Sequence, residues 1–141
     1  MKMYILVKRS IPLGFAVNSV GHASLACYLK FKNDFDTRYW VKHSFAKVTC
    51  EVSDEEFEAA KEVMDHVVIT ESALDGVELS IAFKPREEWP EQFEKYQLFG
   101  DRDVTRMMEW EKIAGLPPEC FDIDEMMEAV KRLRLEKEKG K

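Results

Sequence analysis

The stretch Gly14-Phe15-Ala16-Val17-Asn18-Ser19-Val20-Gly21-His22-Ala23 follows a short apolar run, Tyr4-Ile5-Leu6-Val7. Small residues dominate this stretch, which predicts a helix that packs closely against a neighbouring element. Asn18, Ser19 and His22 fall on one stripe of the helix, because residues three and four apart are neighbours on a helix surface. Polar side chains grouped on a closely packed helix predict a site, which we place at the carboxyl end of the first strand.

Hydrophobic periodicity around this helix predicts a mixed α/β domain over residues 1–99. Strand patterns cover residues 3–8, 46–52, 66–70 and 77–83. Helical patterns cover 15–31, 39–41, the residues after Ser53, and 87–98, the last interrupted by Pro90. The helical crossover between the first two strands is long enough for parallel pairing, and the last two strands form a hairpin. We therefore predict a compact α/β sandwich in which helices flank a mixed sheet of about four strands.

The side chains of the 15–31 helix predict how it packs. Ala16, Gly21 and Ala23 let its backbone approach the sheet, whereas Val17 and Leu25 supply bulk. A glycine inside a helix costs up to about 1 kcal/mol relative to alanine. We therefore expect Gly21 to lie in close contact with another part of the structure.

Three local signals indicate where later elements begin or turn. Asp34 or Asp36 is placed to cap the helix that follows it, since an aspartate oxygen can accept from free N–H groups. Ser53 with Glu56 has the spacing of a capping box. Asp75-Gly76 is typical of a hairpin turn, because both residues tolerate positive φ.

A change of composition at Gly100 separates a second region, residues 100–141, which we predict to be a helical C-terminal hairpin. Apolar residues recur there at helical spacing: Val104, Met107, Met108 and Trp110, then Ile123, Met126, Met127, Val130 and Leu133. These stripes need cover from the domain, from each other or from a second subunit. Packing is the favoured explanation, and a homodimer through the sheet face or this tail is the alternative.

Composition narrows the class of protein. At 45% hydrophobic and 34% charged residues, the chain has the balance of a soluble globular protein. No apolar run approaches the roughly 20 residues that span a bilayer, and no secretory signal pattern precedes the first strand. We therefore expect a cytoplasmic protein with no membrane partner. Cys27, Cys50 and Cys120 are odd in number and far apart, which predicts free thiols.

Charge is distributed unevenly along the chain. Residues 1–48 carry a net charge of +6, residues 49–99 carry −10 and residues 100–141 carry −2. Such asymmetry allows a local anion-binding face on a protein that is acidic as a whole. Chance segregation of solvated charges explains the pattern equally well.

Several common catalytic signatures are absent from the sequence: a phosphate-cradling glycine loop, a dinucleotide fingerprint, zinc-type Cys/His spacing and a nucleophile elbow. We therefore predict no metal site and no cofactor. Thr70-Glu71-Ser72, at the end of the third strand, joins the polar stripe as a candidate site. If the first and third strands run the same way, both groups lie at one edge of the sheet.

The first strand, the spacing of Gly14, His22 and Ala23, and the later strand pair resemble the type II peptidyl-tRNA hydrolase family over roughly residues 2–99. That family reads Gly-Lys-x-Ala-Ala-Gln-x-x-His-Ala at its first helix. Phe15 stands where the family has its functional lysine, and Ser19 stands where it has glutamine. The family's Asp-Ala-Gly-x-Thr-Gln loop falls at Thr70 to Asp75, where only a carboxylate and hydroxyl groups correspond.

The resemblance implies cleavage of the ester between a peptide and the 3′ end of tRNA. Such a reaction needs an activated water, a donor to the oxyanion and cations for phosphates. The implied catalytic residues are His22 as base or acid, Glu71 to orient water, and Asn18 and Ser19 as donors. For substrate binding we expect Lys8 and Arg9 to replace the missing positive charge, Phe15 to offer a stacking surface, and Thr70 and Ser72 to contribute hydroxyl groups.

Other interpretations of the same residues remain open at this point. His22 is equally explained as a structural histidine, Glu71 as a solvated loop residue and Phe15 as part of the core. At the level of function, a catalytically inactive module that binds an RNA end or another anion is the alternative to a hydrolase. A third hypothesis is an interaction protein that uses the Met-rich helical tail.

Overall fold

The computed structural model describes residues 1–100 together with Arg132, Leu135, Lys139 and Gly140. The chain divides into two compact units, Met1–Gly100 and Asp101–Lys141. The predicted helical hairpin lies outside the described residues except at those four positions, of which the first three are helical. The candidate site residues all belong to the first unit.

The first unit alternates strands and helices, as an α/β fold requires. In chain order its elements are β1 (Lys2–Lys8), α1 (Leu13–Phe31), α2 (Phe35–His43), β2 (Ala46–Val52), α3 (Asp54–Ala60), β3 (His66–Glu71), a short 3₁₀ turn (Ser72–Leu74), β4 (Val77–Phe83), α4 (Gln92–Lys95) and β5 (Gln97–Leu98). The predicted α/β class is confirmed.

The strands form one five-stranded mixed sheet in the order β3-β4-β1-β2-β5. β1 is parallel to β2, with Leu6 opposite Cys50. β4 is antiparallel to both β1 and β3, so β1 and β3 point the same way. Their carboxyl ends therefore share one edge of the sheet, which meets the condition on strand direction stated for the candidate site.

The end of this unit differs from the prediction of a helix over residues 87–98. Only Gln92–Lys95 is helical, and Gln97–Leu98 forms a fifth strand opposite Cys50 and Glu51. Pro90 interrupts the helical pattern, and pairing with the free edge of β2 satisfies backbone groups that a longer helix would have bonded internally. The helical prediction for this segment is wrong, and the sheet has one strand more than expected.

Helices lie on both faces of the sheet. On one face, α1 and α2 cover side chains such as Met3, Ile5 and Ala82, with Trp40 completing the cluster. On the other face, α3 and α4 cover a larger, aromatic-rich cluster: Tyr4, Leu6, Cys50, Val52, Phe57, Ala60, Ile81, Phe83 and Phe93. The alternation of β1 between the two clusters follows from the period-two geometry of a strand.

α1 packs through its smallest side chains. Its buried residues are Ala16, Ser19, Ala23 and Cys27, whereas Val17, Leu25, Tyr28 and Leu29 are exposed. The expected close contact of Gly21 is not found among the described residues, because a Cβ built on Gly21 would have none of their heavy atoms within 4 Å. Small side chains bring the helix close to β4, and they leave the bulky ones outside.

The predicted local signals are confirmed. The Asp34 side chain accepts from the backbone N–H of Asp36 at 3.0 Å and caps α2. Ser53 and Glu56 form both bonds of the capping box, at 3.0 and 3.1 Å. Asp75-Gly76 has φ of 54° and 78°, the left-handed conformation that the turn requires.

Cys27 is a buried free thiol, as predicted, Cys50 is buried, and Cys120 lies outside the described residues. Burial raises the pKa of Cys27 to about 12, so its thiol is uncharged at neutral pH. No helix in the part of the chain that the structure describes is long and apolar enough to cross a membrane.

Candidate functional site

α1 begins at the edge of the sheet where β1 and β3 end. Its last turn lies near the opposite edge, since Lys30 Nζ donates to the carbonyl of His66, the first residue of β3, at 2.8 Å. The Ser80 hydroxyl donates to the carbonyl of Ser19 at 3.2 Å. Ser80 is opposite Val7 and Ile69, close to the carboxyl ends of β1 and β3. This contact places Ser19 of the polar stripe over the carboxyl-terminal part of β1 and β3.

The predicted polar stripe divides into a buried and an exposed part. Ser19 is only 1% exposed, and its hydroxyl donates within the helix to the carbonyl of Ala16 at 2.8 Å. Both hydroxyl and carbonyl of Ser19 are therefore engaged in holding α1 to itself and to β4. Asn18 and His22 are exposed.

Asn18 and His22 form a ridge on the flank of α1 that faces β3. They are four residues apart and thus neighbours on the helix surface. Neither side chain makes a hydrogen bond to another residue within the described part of the chain. Phe15, three residues before Asn18, is half-buried on the same flank. The amide and the imidazole are thus both available to a ligand.

Glu71 ends β3 with its carboxylate held in place. Its Oε1 accepts from the backbone N–H of Ala73 at 3.0 Å, and its backbone carbonyl accepts from the N–H of Gly76 at 2.9 Å. Alternation along β3 puts Glu71 on the face of Val67 and Ile69, which pack under α1. The second carboxylate oxygen makes no hydrogen bond to any described residue.

The two hydroxyl residues beside Glu71 are both exposed. Thr70 lies on the opposite face of β3, across from Glu78, where a register shift follows Ile69. Ser72 begins the 3₁₀ turn. The structure thus puts Asn18 and His22, the latter midway along α1, on the same face of the sheet as Glu71 at the end of β3. No hydrogen bond or ion pair among the described residues joins the helix to the end of β3.

The two predicted cations follow β1 but differ in position. Lys8 lies on the α3 face, with its Nζ 4.8 Å from the centre of the Phe57 ring. Period-two alternation could have predicted this, because Lys8 shares a face with Tyr4 and Leu6. The Arg9 backbone donates to the Val52 carbonyl at 2.9 Å, and its side chain is exposed beyond the edge.

Ser80 is the residue of this region that prediction from the sequence missed. It is fully buried beneath α1, and the signal was present in the alternation of β4, where Ser80 and Ala82 are the small residues of one face. A serine and an alanine under a helix whose inner side chains are also small predict close helix-to-sheet contact. Among the described residues, no group of three or more His, Cys, Asp or Glu side chains is arranged to hold a metal ion.

Two comparisons with known proteins bear on this geometry. A family model described as peptidyl-tRNA hydrolase PTH2 matches residues 1–79. That span is more than half of the chain and includes every candidate site residue from Lys8 to Ser72. Comparison with curated proteins found no match.

Proposed function

The chain belongs to the peptidyl-tRNA hydrolase PTH2 family, and from that membership we propose that it hydrolyses the ester between a peptidyl or acyl group and tRNA. The observation that supports the proposal is that Asn18 and His22 on α1 share the α1 face of the sheet with Glu71 at the end of β3, and that the family match spans all three. These residues supply an amide donor, a proton carrier and a carboxylate, which are the groups that ester hydrolysis needs.

In the proposed reaction, water attacks the ester carbonyl while the free oxygen of Glu71 accepts one of its hydrogen bonds. His22 takes the proton released by the water. The Asn18 amide donates to the oxyanion of the tetrahedral intermediate. When the intermediate collapses, the protonated His22 returns the proton to the departing ribose oxygen, and the products are a free carboxylic acid and the tRNA hydroxyl.

The roles proposed for the remaining residues follow from their positions. Ser19 acts as a positioning residue, because its hydroxyl is used inside the helix. Arg9 is the cation proposed to contact phosphate, and Phe15 offers a partly exposed ring beside Asn18 for a terminal base. Lys8 lies on the α3 face of the sheet. We propose that it contacts phosphate only if the RNA extends over the carboxyl edge to that face.

A second candidate function is binding of an RNA end without hydrolysis. The observation that favours it is Phe15, which stands where the resemblance implies a functional lysine. A ring at that position can stack on a base but supplies no charge to the reaction. The interaction role predicted for the Met-rich tail concerns residues 101–141, which lie outside the described residues except at four positions.

Turnover of an N-acetylaminoacyl-tRNA by the full chain tests the proposal. We expect hydrolysis above background, reduced by on the order of 10²-fold in His22→Ala and in Glu71→Gln. Matched controls are His43→Ala and Glu62→Gln, which change exposed residues on α2 and after α3 and should leave the rate unchanged.

Two outcomes would contradict the hydrolase. Folded protein at micromolar concentration that gives no turnover, yet binds tRNA with a steep salt dependence, would support the binding module instead. Turnover that survives unchanged in both variants would refute the roles assigned to His22 and Glu71.

A further inference from the structure

A groove of about 500 Å³ lies on the other flank of α1, between that helix, α2 and the start of β2. The residues that line it are Val20, Gly21, Ser24, Leu25, Tyr28, Trp40, Val41, Phe45 and Lys47. Apart from Ser24 and Lys47 these are apolar residues or glycine. The groove contains none of the proposed catalytic residues, and a ligand bound there does not depend on hydrolysis.

Large apolar side chains stand exposed along this groove. Leu25 is 58% exposed and Phe45 is 59% exposed, and Tyr28 and Val41 are each more than a third exposed. Scattered exposed apolar residues are ordinary, but a contiguous set around a concave surface marks an interaction site. Exposure on this scale costs solubility unless something covers it.

Gly21 forms a low point in the wall of the groove. It lies in the interior of α1, where glycine costs up to about 1 kcal/mol relative to alanine. Nothing in the described structure requires the missing side chain, because a Cβ there would have no neighbour within 4 Å. The absence of a side chain lets another backbone approach α1 closely at this point.

One cation, Lys47, lines the groove, and two more follow nearby along α2. Lys47 Nζ lies 3.5 Å from the centre of the Phe45 ring and 4.9 Å from that of Trp40. Desolvation by these surroundings lowers the pKa of Lys47. On α2, Arg38 lies one turn before Val41, and Lys42 follows it. None of these three cations takes part in a salt bridge among the described residues.

We propose that this groove binds an amphipathic helix of a partner protein, one that carries acidic residues beside its apolar stripe. The apolar lining takes the stripe, and Arg38, Lys42 and Lys47 face the acidic residues. Gly21 to Tyr28 spans about 10 Å of α1, which matches apolar anchors at positions i, i+4 and i+7.

A protein helix fits this groove better than nucleic acid does. Most of the lining is apolar and can bury the apolar stripe of a helix, whereas nucleic acid binding derives mainly from contacts between cations and phosphates. The groove borders the ridge of Asn18 and His22, because Gly21 and Leu25 lie three residues after Asn18 and His22 respectively.

Selection from a displayed library of randomised peptides of about 14 residues, a length of about 20 Å when helical, tests the proposal with the full chain. We expect enriched peptides to combine apolar residues at i, i+4 and i+7 with Asp or Glu on the flanks. Gly21→Leu should weaken their binding by more than tenfold in fluorescence anisotropy, because the new side chain fills the groove. Gly14→Leu is the matched control, since Gly14 is also an open helical position but lies outside the groove.

Leu25→Glu provides a second variant that changes only an exposed position, so that the test holds even if Gly21→Leu fails to fold. A Lys47→Glu variant should lose affinity for acidic peptides and gain affinity for the same peptides with Asp and Glu replaced by Lys.

Three results would overturn the proposal. They are a selection that yields no binder, binders without acidic residues, and affinities unchanged by Gly21→Leu and Leu25→Glu. A dimer in sedimentation that Gly21→Leu dissociates would assign the groove to a second copy, and weakened tRNA binding in that variant would assign it to nucleic acid.

Discussion

The two flanks of α1 differ in chemistry although they belong to one helix. The flank toward β3 carries Asn18 and His22, on the same face of the sheet as Glu71. The flank toward α2 carries Gly21 and exposed apolar side chains, and it lines a groove with Lys47 of β2, whose Nζ lies over the Phe45 ring. The first flank could be recognised from the sequence because polar residues stand out in a helix. The second could not, because an apolar residue gives no sign of whether it faces the core or a groove.

The largest expected effect separates the flanks by function. His22→Ala should lower tRNA-ester hydrolysis by on the order of 10²-fold and leave binding of a groove-directed peptide unchanged. Gly21→Leu should show the reverse pattern. The measurement is turnover and anisotropy on the same two proteins, and a variant that impairs both activities would show that the flanks are coupled.

A second prediction contrasts the inner and outer surfaces of the helix. Ala23 is fully buried against the sheet, so Ala23→Leu should lower the free energy of unfolding by about 1–3 kcal/mol through overpacking. Gly21→Leu introduces the same side chain two residues away, on the open side. Urea titration should show a loss only for Ala23→Leu, and equal losses would mean that Gly21 is packed.

A third prediction concerns the junction that sets α2 beside the groove. Asp34→Ala should cost about 1 kcal/mol, since it removes the cap of α2. Although desolvation acts in the opposite direction, the hydrogen bonds from Lys84 and from the Asp36 N–H hold the pKa of Asp34 below its usual value. Its contribution to stability is therefore present at neutral pH and lost as the pH falls through the lowered pKa.

Urea unfolding of wild type and Asp34→Ala at several pH values measures that contribution. The stability difference should be largest near pH 7 and should shrink in acid. Glu87→Ala is a control in which the lost carboxylate pairs instead with the N-terminus at 2.8 Å. A difference for Asp34→Ala that is the same at every pH would mean that its carboxylate is not the stabilising group.

The smallest effect is expected for Gly21→Ala. It should raise the free energy of unfolding by at most about 1 kcal/mol, because alanine fits an open helical position without strain. Thermal unfolding would detect the change as a higher midpoint. A lower midpoint would indicate an intramolecular contact at Gly21 and would weaken the case for an external partner.

Most of the fold could be predicted from local signals. The ends of β2 and β4, the cap at Asp34 and the capping box at Ser53 depend on interactions within a few residues, so they are visible in the sequence. β5 could not be predicted, because two residues become a strand only when the free edge of β2 lies beside them. Residues 87–98 have apolar residues at helical spacing, but Pro90 lacks the backbone N–H that a continuous helix needs.

The candidate site was predicted less completely than the fold. The direction of β3 relative to β1 could only be conditional, since it depends on β4 lying between them. Ser19 was grouped with Asn18 and His22 because residues at this spacing share a stripe about 100° wide on the helix surface. One residue of such a stripe can be buried while its neighbour is exposed. Lys8 was assigned to the same edge without regard to the face of β1 on which it lies.

By itself, the sequence determined the order of the elements, their caps and turns, and the family to which the first 79 residues belong. These properties are local, or reside in the spacing of a few side chains such as Gly14, His22 and Ala23. Only the tertiary structure decided which side of α1 is inside. The reason is physical: α1 carries apolar residues on nearly every side, and the small ones were drawn inward by Ser80 and Ala82 on β4. Close packing against those two residues made one flank a polar ridge and the other an open groove.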